Sequence, residues 1–267
     1  MKIYVCVKHV PDSAANIALK DSKHIDDNVT LLLNPYDEYA VTEAVSFKKY
    51  LNEKTSLCGT DDDTEVIVVS LGKKDAEKTL RSAMAMGADR GILIETEKIE
   101  DSITTARLLK AAIEKDGVPG IIFTGRESID MAGMQTMFRL GANFGFPVAN
   151  NVVKFTPDIT NNSVEVETLT EASGRDLYQL SLPCVLGAGR GLNSPAYPTF
   201  PDVVKAKKKQ ILSVSKNELN IDKPQASTEI IELKLFAGKR TPEEIKGDLS
   251  QKITSLVKIL KEEAKII

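Results

Sequence analysis

Four short apolar runs rich in β-branched residues recur along the chain: "IYVCV" (3–7), "EVIVVSL" (65–71), "GILIE" (91–95) and "GIIFTG" (120–125). Helical patterns separate them, and that alternation specifies a mostly parallel sheet flanked by helices, an α/β fold. Two of the helices have their ends written in sequence. "KDAEKTLRSAMAMG" (74–87) stops on Gly87, and "DSITTARLLKAAIEKDG" (101–117) opens on an Asp101 cap and closes on Gly117. A further helix is expected from "NPYDEYAVTEAVSFKKYL" (34–51). Asn34 is its N-cap, Pro35 takes the first helical position, and Asp37 and Glu38 complement the dipole. Ligands of such sheets collect at the carboxyl ends of strands, so a crevice is expected beyond Val7, Leu71 and Gly125, together with the Asn34 turn.

After residue 150 polar and apolar residues alternate in "NNSVEVETLT" (161–170) and "GRDLYQLSLPCVLGAG" (174–189), which reads as an antiparallel hairpin flanking a last buried strand. A proline-rich loop, "GLNSPAYPTFP" (191–201), leads into "DVVKAKKKQIL" (202–212), and a polar linker near 216–228 precedes a strand-like "EIIELKLF" (229–236). From Thr241 to Lys265 a capped helix places Ile245, Leu249, Ile253, Leu256 and Leu260 on one face, a stripe that needs cover from the body or from another chain.

The balance of 35 basic and 38 acidic residues, with no Trp, gives nothing to attract or stack nucleic acid. Cys6, Cys58 and Cys184 are too widely spaced for a CxxC pair and odd in number, which fits a reduced, cytoplasmic setting. No segment has the roughly 18 apolar residues of a membrane span, and the opening "MKIYVCVK" reads as a strand whose apolar run is too short for a secretory h-region.

"GRESIDMAGMQTMFRL" (125–140) is the densest polar cluster. A strand end, a glycine that admits a ligand, and helix-start N–H groups near Gln135 and Thr136 make an anion cradle of the kind that holds phosphates; a capped helix with a methionine-rich core face is the competing reading. "GAGRG" (187–191) is no dinucleotide fingerprint, because Pro195, Pro198 and Pro201 forbid the helix that must follow. The stiff loop with Tyr197 and Phe200 reads as a recognition surface or a plain loop, and "KAKKK" (205–209) as a solvated face or a steering charge for an acidic partner. His9 and His24 lack a nucleophile or an orienting carboxylate, so no catalytic or metal-binding constellation is expected, and any redox chemistry belongs to a cofactor.

Taken together, "VCVKHVPD", "LNPYDEYAVTEAV", "VIVVSLG", "AMAMGADRGILIE", "GRESID…QT" and "LNSPAYPTFPDVVKAKKK" resemble the β subunit of electron-transfer flavoproteins, in the same order and at similar spacing from about residue 2 to 212. The resemblance implies adenine and ribose contacts at Cys6, Asn34, Pro35, Tyr36, Asp37 and Leu71. It places phosphates over Gly125, Arg126, Glu127, Ser128, Ile129, Asp130, Met131, Ala132, Gly133, Met134, Gln135 and Thr136. Partner contacts fall on Tyr197, Phe200, Lys205 and Lys208.

The chain departs from the family pattern in two places. Met131 to Met134 replace an acidic and hydroxyl or amide run, leaving phosphate binding to backbone N–H groups, and "EASGRD" (171–176) replaces a hairpin with paired glycines.

The resemblance implies an α subunit as partner and two possible occupants of the crevice. One is FAD that exchanges hydride with NAD(H) and passes single electrons to ferredoxin or flavodoxin and to the α-subunit flavin serving a dehydrogenase, an electron-bifurcating role in anaerobic metabolism. The other is a structural AMP in a simple carrier. A homodimeric adenine-nucleotide sensor is the alternative from another class. The expected division is a nucleotide-binding α/β domain over 1–215, followed over 216–267 by a linker and C-terminal helical arm for the partner subunit.

Overall fold

The computed structural model describes residues 1–26, 28–58, 64–170, 174–219, 221, 228–235, 242 and 244–267. In chain order the elements are β1 (Lys2–Cys6), β2 (His9–Pro11), β3 (Leu31–Leu33), α1 (Pro35–Cys58), β4 (Glu65–Gly72), α2 (Glu77–Ala85), β5 (Arg90–Glu95), α3 (Ser102–Asp116) and β6 (Ile121–Gly125). There follow α4 (Thr136–Phe144), β7 (Val148–Asp158), β8 (Ser163–Leu169), β9 (Arg175–Ser181), β10 (Val185–Ala188), α5 (Phe200–Lys208), β11 (Ile211–Ser215) and α6 (Leu249–Lys258). The main sheet runs β11-β5-β4-β1-β6-β10-β7-β8-β9. It is parallel from β11 to β7 and antiparallel across β7, β8 and β9, while β2 and β3 form a separate ribbon.

Alternate residues of the central strands feed two cores. Ile3 and Val5 of β1 pack with Val41, Ala44 and Phe47 of α1 and Leu80 of α2. Tyr4 and Cys6 face the opposite layer, with Leu108 and Ile113 of α3 and Leu140 of α4. Burial on both faces is why these strands read as continuous apolar runs. Asp101 caps α3 by accepting from Thr104 N at 2.8 Å, and the helix ends at Gly117, as its sequence dictates.

The corner between α2 and β5 shows why "AMGADRG" takes the form it does. Gly87 has φ +127, and a Cβ there would lie 2.9 Å from Val45 Cγ1 of α1. Asp89 accepts from Val66 N at 2.7 Å and pairs with Lys48 Nζ at 2.7 Å. Arg90 bridges Glu65 and Asp116, each at 2.8 Å, and the Tyr4 hydroxyl donates to Asp116 at 2.7 Å. Burial alone would raise the Asp116 carboxyl, but the hydrogen bonds from Arg90, Tyr4 and Lys2 outweigh it and hold the group at about 2.

Four expectations change. The competing reading of residues 125–140 as a capped helix with a methionine-rich core face fails: the chain runs as a loop until α4 begins at Thr136, the expected helix start, so Met131 and Met134 are exposed and only Met137 and Leu140 enter the core. The hairpin extends to a three-stranded antiparallel run, because β7 turns away from β10 to pair with β8; its tip residues Glu171, Ala172 and Ser173 lie outside the described residues. Residues 229–235 of "EIIELKLF" form no strand, although Leu233 N bonds Ser22 O at 2.7 Å, and Phe236 lies outside the described residues. The last helix begins at Leu249 behind an Asp248–Gln251 capping box, with Ile245 ahead of it and Thr241 outside the described residues, and none of its side chains is buried. Among the described residues no helix is long and apolar enough to cross a membrane.

Gly87→Ala adds a methyl where both the backbone angle and Val45 oppose it. We expect a loss of about 2 kcal/mol, read as a lower urea midpoint at unchanged slope.

Candidate functional site

β4 and β5 lie to one side of β1 and β6 to the other, so strand order reverses between the carboxyl ends of β1 and β6. In open α/β sheets this is where ligands bind. Cys6 and Thr124 pair in register at this point. Beyond them come Lys8, the loop Arg126 to Gln135, and the start of α1.

One buried carboxylate joins the three. Asp37 is 4% exposed. Its Oδ1 accepts from Gly125 N at 3.0 Å and Asn34 Nδ2 at 2.8 Å, and its Oδ2 accepts from Lys8 N at 2.7 Å. Burial pushes the carboxyl up to about 7, while the Asn34 amide, the two N–H groups and the Lys8 charge pull it down. Asn34, also buried, donates to Glu127 O at 2.9 Å and accepts from Ile129 N at 3.2 Å, so the side chain expected to cap α1 staples the loop. Gly125 is a glycine for the same reason. A Cβ would run into Asp37 Oδ1 and sit 2.7 Å from Tyr36 Cβ, so the approach it permits is that of α1.

The loop is then held from the sides. Lys8 Nζ pairs with Asp130 at 2.7 Å and donates to Ser128 Oγ at 3.3 Å. Arg126 N donates to Ala188 O at 2.9 Å, and its guanidinium lies 5.6 Å from the Tyr36 ring centre and 3.2 Å from Glu127 Oε1. Arg126 Nη2 and Asn150 Nδ2 converge on Met134 Sδ at 3.9 and 3.7 Å. Residues 130–135 are exposed, Ala132 and Met134 are left-handed at φ +47 and +48, and nothing lies within 4 Å of a Cβ built on Gly133. Gln135, the residue before α4, makes no side-chain cap, so the first amides of α4 have no competing acceptor from that side chain.

The structure therefore brings Asn34 to Asp37 together with Gly125 to Asp130, and continues through the open Met131 to Gln135 segment to Thr136. Cys6 closes the floor of the crevice. Its thiol is pushed up to about 12 by burial and behaves as an apolar side chain rather than a nucleophile. Leu71 lies next to last in β4, one strand away and opposite Ile94, and Pro35 opens α1. Tyr197 and Phe200, 96% and 81% exposed, stand apart from this cluster with the exposed Lys205 and Lys208, on and beside α5.

Lys8, Asn150 and Asn151 were not singled out from the sequence. Lys8 could have been found as the first polar side chain beyond β1, and the asparagine doublet as polar residues near the start of β7. His9 bonds Thr79 Oγ1 at 2.6 Å and lies 3.6 Å from Asp75, a buried packing role for which burial lowers its pKa. Among the described residues no group of three or more His, Cys, Asp or Glu side chains is gathered as for a metal ion.

The raised Asp37 carboxyl has a definite sign. The folded state holds this proton more tightly than an unfolded chain with a carboxyl near 4, so the group's contribution to stability is fullest below that value and is lost as pH rises through about 7. Asp37→Asn keeps one acceptor oxygen and removes the titration. It should lower stability overall yet flatten the decline between about pH 4 and 7 in a series of thermal melts; an unchanged slope would contradict the assignment.

The family model described as electron transfer flavoprotein domain matches residues 23–219. The mitochondrial electron transfer flavoprotein subunit beta of Arabidopsis thaliana is 33% identical over 269 residues, covering 100% of each chain. The subunit beta of Bacillus subtilis is 31% identical over 271 residues, again covering 100% of each, and that of Homo sapiens is 32% identical over 228 residues, 83% of this chain and 84% of that one. Alike from end to end with these subunits and matched by the family model over most of its length, the chain is a β subunit of the electron transfer flavoproteins.

Proposed function

We propose that the crevice binds the adenosine diphosphate part of FAD, and that with its α subunit the protein carries out flavin-based electron bifurcation. In this reading hydride is exchanged with NAD(H), and single electrons go to ferredoxin or flavodoxin and to the α-subunit flavin that serves a dehydrogenase. The observation that carries it is the α4 entrance: first amides with no side-chain cap, reached through a loop with open space at Gly133. Helix-start amides suit phosphate oxygens, and a ligand laid along the loop meets no side chain at Gly133. When bound, the flavin supplies hydride and one-electron chemistry, while the protein supplies binding, orientation and electrostatics.

This chain's own groups have defined parts. The α4 amides and Thr136 hold the phosphates, Arg126 offers a positive charge from the same loop, and Asn34 and Asp37 keep the loop seated. A structural AMP on the same amides is the second reading. Met131 to Met134 favour it, since they offer no hydroxyl or carboxylate where a flavin-bearing loop would use one.

Two measurements test this. Chromatography of cofactors released from the denatured heterodimer should find two FAD and no AMP; one of each would replace the first reading by the second. Gln135→Ala with Thr136→Ala should weaken retention of this subunit's nucleotide roughly ten-fold, with the circular dichroism spectrum unchanged. Retention equal to wild type would remove the cradle assignment itself.

A further inference from the structure

The lysine run 205–209 is not uniform. Lys205, Lys207 and Lys208 are exposed on α5, whereas Lys209 turns inward: its Nζ donates to Met84 O at 3.0 Å and Ala88 O at 2.6 Å, the carbonyls at the end of α2 and just beyond. Arg81 of α2 makes the converse pair. Its Nη1 donates to Ala206 O at 2.8 Å and Lys209 O at 2.6 Å, at the end of α5, while Glu77 holds the other side of the guanidinium at 2.9 Å. Each helix thus ends on a cation supplied by the other, where unpaired carbonyls and the negative end of the dipole favour positive charge. Among the α5 residues only Ala206 is buried, so the helix has little apolar contact of its own to fix its attitude.

The near side of the segment is tied to α1. Asn193 Nδ2 donates to Tyr39 O at 3.0 Å and Glu43 Oε2 at 2.8 Å, and Ala196 N donates to Thr42 Oγ1 at 3.0 Å. The stretch from Asn193 to Lys209, with Tyr197 and Phe200 projecting from it, is a strap pinned at both ends.

We propose that Arg81 and Lys209 are positioning residues that hold α5, and with it Phe200, at a fixed attitude on the nucleotide-binding sheet, so that the dehydrogenase meets a preformed surface. This rests on the reading that Tyr197, Phe200 and the outer lysines dock that dehydrogenase. Lys209 is accordingly excluded from the docking charge. Its ammonium is desolvated, which lowers its pKa, and it is committed to carbonyls of its own chain. A preset surface loses less conformational freedom on binding, so the effect falls on affinity and not on the electron-transfer step.

The test uses the purified heterodimer with the flavin-dependent dehydrogenase that reduces it. In Arg81→Met and Lys209→Met, amide exchange across 200–209 should quicken about ten-fold and the KM for the dehydrogenase should rise by a similar factor. Maximal rate, nucleotide content and exchange in β1, β4 and β6 should stay unchanged, and Lys209→Arg should restore both readouts. Unaltered exchange and KM would overturn the proposal, as would a fall in maximal rate and nucleotide content alongside KM, which would mark general structural support. Lys205→Ala should instead flatten the dependence of KM on ionic strength; the same flattening in Lys209→Met would return Lys209 to the docking charge and overturn the division. Phe200→Ala separates the two readings. If it leaves KM unchanged, the docking assignment fails, while the exchange data still decide the clamp.

Discussion

Asp37 is the interaction on which the arrangement depends. Its two oxygens receive one amide from beyond β1, one from the end of β6 and one from the Asn34 side chain. Losing it would strand buried donors on three separate segments, each costing about 1–3 kcal/mol. Burying a carboxylate opposes folding unless it is fully bonded, and here it is bonded on both oxygens. That cost is offset by position: the one side chain fixes the N-terminus of α1 against the switch point, and so fixes the crevice wall.

From α1 the two functional regions diverge. Its first turn closes the crevice through Asn34, Tyr36 and Asp37, while Tyr39, Thr42 and Glu43 hold the strap that presents Phe200. Its middle packs Val45 against Gly87, and the α2 corner receives Lys209 from the far end of the same strap. The loop proposed as the cradle and the strap proposed as the docking segment are therefore both tied to α1. This makes their separation a property of packing and not of a flexible linker.

Much of this was legible in sequence because periodicity and punctuation are local. The parallel strands, the Asp101 cap, the Gly87 and Gly117 stops and the Asn34–Pro35 helix start follow from residue types at short spacing. The loop that follows the strand end at Gly125 could be named for the same reason. What could not be read depends on distant pairs. Arg81 meets Ala206 and Lys209 across more than a hundred residues, and nothing in "KAKKK" distinguishes its last lysine from the others. Met131 and Met134 kept the competing reading open because apolar spacing near a helix looks the same whether or not the helix has begun. Only the left-handed turns at Ala132 and Met134, which no local pattern announces, delay α4 to Thr136.

Those two turns bear on the crevice. Non-glycine residues at positive φ are strained, and such strain persists only where the surroundings over-determine it. Here the loop is stapled by Asn34 and Lys8 before the turns, and Met134 is met by Arg126 and Asn150 at their end. Between the two strained residues Gly133 touches nothing. The loop thus follows a strained path beside an open space and leads into helix amides that carry no side-chain cap, and on these two features the proposed phosphate cradle rests.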